Sequence, residues 1–124
     1  MLPSFTKADL EKASRREELI EETIRQIIKD FAEFDLDIGF PGDTDDFYGH
    51  LFRQMLEHVS HLLMHHREKL FNLLYRIDLD ASDIDSYQRQ MPEVPFEKLL
   101  TELIIHRELK KVLTRDFFRQ SGNQ

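Results

Sequence analysis

The stretch HLFRQMLEHVSHLLMHHREKLFNLLYRI, from His50 to Ile77, decides the fold, because no Gly or Pro interrupts the chain between His50 and Met91. Phe52, Met55, Leu56, Val59, Leu62, Leu63, Leu70, Leu73 and Ile77 recur there at three- and four-residue spacing, the period of one buried helical face. One long helix satisfies this pattern. Two helices broken between His65 and Glu68 satisfy it equally.

Outward from this stretch the same period returns. Ile20, Ile24, Ile27, Phe31 and Phe34 fall within about 80° of one another at roughly 100° per residue, opposite a mixed-charge face of Glu17, Glu18, Glu21, Glu22, Arg25 and Lys29. Thr6 is expected to cap this first helix, with Asp9 three residues on and Phe5 and Leu10 as a hydrophobic staple. Residues 35–46 hold five Asp, two Gly and one Pro and predict the main loop, after which Asp43 or Thr44 caps the next helix. A turn at Asp78 leads to a short helix, with Ser82 as the expected cap and Ile84, Tyr87 and Met91 on its buried side, and Pro92 ends it. Pro95 suits the first turn of a last helix running to about Phe118, where Lys110, Lys111 and Arg115 complement the negative end of the helix dipole. No strand alternation and no internal repeat is visible. The expectation is an all-α fold, a compact bundle of four to five mostly antiparallel helices in one domain over residues 1–124, with frayed ends at 1–5 and 119–124.

Composition narrows the function. The chain has no Cys, which removes disulfides, thiolate metal sites and cysteine nucleophiles and fits a reducing compartment. A net charge of −7 repels phosphate backbones and anionic lipid surfaces, so neither nucleic acid nor a membrane is an expected partner. The first residues lack a basic region followed by an apolar core, and the expected location is cytoplasmic.

Four of the six histidines, His58, His61, His65 and His66, crowd into the decisive stretch. On a wheel centred on Val59, His66 falls roughly 20° from the middle of the apolar stripe, whereas His58, His65 and His61 lie about 100°, 120° and 160° away. His66 therefore reads as a core residue. His58, His61 and His65 share an outer flank from which two imidazoles could meet one Zn²⁺ or Ni²⁺; without completing donors the expectation is no cofactor. Carboxylate-bridged di-iron patterns fail here. His50 and His106 are followed at the needed distances by Gln54 and Lys111, and Glu57/His61 and Glu102/His106 are one residue too far apart for Glu-x-x-His. An EF-hand loop starting at Asp78 fails at Asp83, where Gly is needed, and at Arg89, where Glu is needed.

The last helix carries two further features. Arg107 and Lys110 lie within about 40° of the centre of the stripe Phe96, Leu99, Leu100, Leu103, Leu113 and Phe117. A charge so placed needs a partner, and Asp78 or Asp80 is expected to supply a buried ion pair to Arg107, the alternative being an anionic ligand. Ile105, Leu109 and Val112 make the opposite side apolar too, so this helix is either central in its own domain or shared with a second chain. No phosphate loop or nucleophile elbow is present. The composite expectation is a non-enzymatic helical protein-interaction module acting as a homodimer, its partner surface lying around Ile105, Leu109 and Val112 or around the acidic loop; the alternative is a metal- or anion-binding protein using the histidine flank or Arg107.

Overall fold

Apolar side chains at helical spacing leave the chain one way to bury them, by packing helix on helix, and this is the architecture of the computed structural model, which describes residues 17–39 and 47–121. Five helices form among the described residues: α1 (Glu17–Ala32), α2 (Phe47–His65), α3 (Arg67–Arg76), α4 (Ala81–Gln90) and α5 (Phe96–Ser121). The expected caps Thr6, Asp43 and Thr44, and residues 1–5, lie outside the described residues. The core joins Ile24, Ile27 and Phe31 of α1, Leu51, Met55, Val59 and Leu62 of α2, Leu70, Leu73 and Ile77 around α3, and Leu100, Ile104 and Ile105 of α5.

The long apolar stretch is two helices. The break is a single residue, His66, at φ −145° and ψ 60°. An uninterrupted helix from Phe47 to Arg76 would run about 45 Å, longer than a domain of this size is wide; the break lets α3 return to the core and pack against α1 and α2. Hydrogen bonds change little across it: the His66 N–H still donates to Leu62 O at 2.8 Å, and the Arg67 side chain donates to the Leu63 carbonyl at 3.0 Å. His66 is consequently exposed, not a core histidine. The wheel that placed it inside assumed a continuous helix.

Both α1 and α3 stop at the same device. Asp35 and Asp78 each take the left-handed conformation at φ 60°. Leu36 N–H then donates to Phe31 O at 3.0 Å and Leu79 N–H to Leu74 O at 3.0 Å, the long hydrogen bond of a Schellman cap, and both Leu side chains join the apolar core that holds Phe31 and Leu74. Asp-Leu-Asp thus occurs twice, at 35–37 and 78–80, as a local echo shorter than any repeat unit. The two ends also meet: Arg76 Nε lies 2.8 Å from Glu33 Oε2. Glycine takes this backbone without a Cβ clash, so Asp35→Gly is expected to raise the urea midpoint, through a stability gain of up to about 1 kcal/mol; a lowered midpoint would mean that the Asp side chain stabilises the turn.

α4 is capped by Asp80, not Ser82: Asp80 Oδ1 accepts from the Ser82 N–H at 3.3 Å and Oδ2 from the Ser82 hydroxyl at 3.0 Å. Pro95 stands just before α5, its carbonyl accepting from Lys98 and Leu99, and the helix continues past Phe118 to Ser121. α5 is the axis of the bundle, packing against α1, α2 and α4. That decides the question of its second apolar face. Ile105, Leu109 and Val112 are only 3, 7 and 0% exposed within this one chain, so they are core rather than the free interface the sequence suggested. No helix among the described residues is long and apolar enough to cross a membrane.

Candidate functional site

Lys110 and Lys111 lie three and four residues after Arg107, and Thr114 four and three residues after them, so these side chains share a face of α5, flanked by Arg115. With Gln26 from α1 and Asp78 from the turn after α3 they line a groove of about 460 Å³. α1 and α5 run antiparallel here, for Arg115 Nη2 donates to Gln26 Oε1 at 3.1 Å while Arg119 reaches back to Glu22 at 3.5 Å.

Each cation has a different commitment. Arg107 Nε donates to the Ile77 carbonyl at 3.1 Å, capping the C-terminal end of α3, and its Nη2 stands 4.0 Å from Asp78 Oδ2. This is the expected partner in an unexpected setting, because Asp78 is exposed and the pair is a surface contact rather than a buried one. Asp80, the other expected partner, is spent on the α4 cap. Lys110 joins no ion pair among the described residues. Lys111 Nζ lies 3.5 Å from Glu108 Oε1.

Behind Lys111, outside the groove lining, lies Glu108. Its side chain is 0% exposed, and among the described residues neither carboxyl oxygen has a hydrogen-bond partner of good geometry, although Asp30 stands close enough to share the acid's proton. Asp30, 3% exposed, faces it from α1 and accepts from Gln26 Nε2 at 3.1 Å on both oxygens. Burial first, and then the neighbouring Asp30 carboxylate, push the Glu108 carboxyl up to about 8, against the opposing pull of Lys111. At neutral pH the nearest acid to Lys111 is therefore uncharged. Arg107, Lys110, Lys111 and Arg115 then outnumber Asp78 on the rim, Asp30 below and Glu22, which stands 3.9 Å from Arg115 and is shared with Arg119, so the groove is locally positive against the −7 of the whole chain.

The histidine flank does not assemble as three ligands. His58 Nε2–H donates to the Asp37 carbonyl at 2.6 Å and its ring lies against Phe31, which draws it away from His61 and His65. His61 instead has His65 and, across the helix break, His66 as ring neighbours, at centroid distances of 4.9 and 5.7 Å. Among the described residues no group of three or more His, Asp or Glu side chains is arranged to hold a metal ion.

A second depression of about 430 Å³ opens between α3 and α4, lined by Phe71, Leu74, Tyr75, Leu79 and Ile84 and sharing Asp78 with the cationic groove. Arg107, Lys110 and Asp78 stand out in the sequence, whereas Lys111 and Arg115 read there only as helix-dipole partners and Glu108 and Asp30 come forward only in the structure. The signal for Glu108 was present: it stands among Ile105, Leu109 and Val112 on an otherwise apolar face. Comparison with known protein families, curated proteins and solved structures finds no match to this chain.

Proposed function

We propose that this chain is a non-enzymatic helical binding module that holds a small oxyanion in the groove of Arg107, Lys110, Lys111 and Arg115. The observation that carries the reading is uncompensated charge: Lys110 has no acidic partner among the described residues, and Lys111 has only an acid that is neutral at pH 7. Guanidinium forks suit the bidentate geometry of phosphate and sulfate, and two ammonium groups add point charge. A long polyanion is a poor occupant, since the rest of the molecule repels it. The module is read as cytoplasmic, in keeping with the absence of Cys.

Thermal unfolding at constant ionic strength tests this. Sulfate or pyrophosphate is expected to raise the melting temperature of the wild type, by about 2.7 kcal/mol of stabilisation at a hundredfold excess over Kd, and to lose most of that effect in Lys110→Gln. Lys110 takes part in no ion pair among the described residues, so its loss is expected to leave the fold intact. Equal stabilisation of wild type and variant, or equal stabilisation by chloride, would sink the proposal.

One observation favours a second reading, an interaction module that dimerises or meets a protein partner. Phe71 and Tyr75, on the outer face of α3, are 59 and 85% exposed beside the apolar depression. With Ile105, Leu109 and Val112 internal, a homodimer has to use such a face instead. Sedimentation velocity is then expected to show a concentration-dependent dimer that Tyr75→Ser abolishes; a wild type that stays monomeric at high concentration removes the reading.

A further inference from the structure

Lys111 belongs to two places at once. Its ammonium stands 3.5 Å from the buried Glu108 carboxyl, and the same side chain lines the cationic groove. It is one turn along α5 from Glu108, close enough for a four-carbon stem to face either the acid or the groove. When Glu108 is ionised, a buried carboxylate with no hydrogen bond holds the ammonium as its counter-charge. When Glu108 is protonated, that hold is released.

We propose that Lys111 is shared between Glu108 and an oxyanion in the groove, so that anion binding draws a proton from bulk water onto Glu108. This rests on the oxyanion reading above and adds its regulation. The sign follows from charge alone. An anion that engages Lys111 removes the one cation stabilising the Glu108 carboxylate and brings further negative charge near it, so the bound state favours the protonated acid. By reciprocity, protonation of Glu108 strengthens anion binding and its loss at higher pH weakens it.

The surroundings of Glu108 leave few other titrating groups to do this. From α1 it is faced by Asp30, whose carboxylate is held by Gln26, and along its own helix by Lys111. α2 brings Leu51, Met55, Val59 and Leu62 to the core it shares with α5, all apolar. The titratable residues of α4, Asp83, Asp85, Tyr87 and Arg89, are exposed, as is Asp78 in the turn after α3. The carboxyl's raised value of about 8 puts the switch in an accessible range, below the ordinary titration of lysine.

Sulfate is the suitable probe, because it stays doubly charged across the range. Calorimetric titration of the full chain with sulfate at pH 7 and pH 9 is expected to give a Kd at least about fivefold weaker at pH 9. Titrations near pH 8.5 in two buffers of different ionisation heat should show proton uptake on binding. Glu108→Gln is expected to bind as the wild type does at pH 7, with no pH dependence and no proton uptake; Lys111→Gln is expected to bind weakly at both pH values. Sulfate binding that is flat with pH and proton-neutral in the wild type would overturn the linkage while leaving the anion site standing. Proton uptake that persists in Glu108→Gln would also overturn it, by placing the titration on another group. Absence of sulfate binding at either pH would overturn both.

Discussion

Glu108→Gln is expected to stabilise this protein at pH 8.5 by on the order of 4 kcal/mol, with a rise in melting temperature of more than roughly 10 °C. Glu108 is fully buried, and its carboxyl is pushed up from the ordinary 4.5 to about 8, chiefly by burial and then by Asp30. Between these two values the folded state holds a proton that the unfolded chain has released. Stability therefore falls as pH rises through that window, at up to about 1.4 kcal/mol per unit. The amide keeps the shape of the protonated acid and does not ionise, so the variant's melting temperature should be flat where the wild type's declines. Below pH 4.5 the acid is neutral in both states and the two curves should converge. A variant less stable than wild type at every pH would instead mean that the Lys111 to Glu108 contact stabilises the ionised form.

Ile105→Asp is expected to abolish folding of the single chain. The side chain is 3% exposed and packs with Ile104, Leu100 and residues of α1, α2 and α3. The substitution removes roughly 2 to 3 kcal/mol of apolar burial and adds the several kcal/mol needed to bury an unpaired carboxylate. Set against a typical total stability of about 5 to 15 kcal/mol, that leaves little or no native population. Far-ultraviolet circular dichroism should show lost helix signal at 25 °C. A folded monomer from Ile105→Asp, beside a dimeric wild type, would restore Ile105 to a surface between two chains.

Much of the fold was legible because helical periodicity is a local property. The stripes on α1, α2 and α3 are buried nearly as their spacing requires: Ile24, Ile27, Phe31, Met55, Val59, Leu70, Leu73 and Ile77 are all in the core. Periodicity admits a break between His65 and Glu68 but cannot choose it over a continuous helix, for a physical reason. Residues on either side keep the same phase whether or not one residue between them leaves the helix, so the pattern carries no record of the kink. The site was legible only in part. Arg107 announced itself as a charge within an apolar stripe, and Asp78 is its neighbour at 4.0 Å, but exposure of that pair depends on the packing of the α3 turn against α5. His58 looked like a member of a ligand flank until the returning chain at Asp37 supplied its hydrogen bond.

The sequence by itself determined that this chain is helical and which apolar residues form most of its core, because these follow from spacing along one axis and from the chemistry of Gly, Pro and Asp. Only the tertiary structure decided what stands opposite each face. It enclosed Ile105, Leu109 and Val112 within one chain, turned His66 outward, and set Asp30 against Glu108 under a row of cations. A helical wheel gives the direction in which a side chain points about its own axis. The charge, burial and partners it meets there are set by the neighbouring helix, whose position only packing specifies.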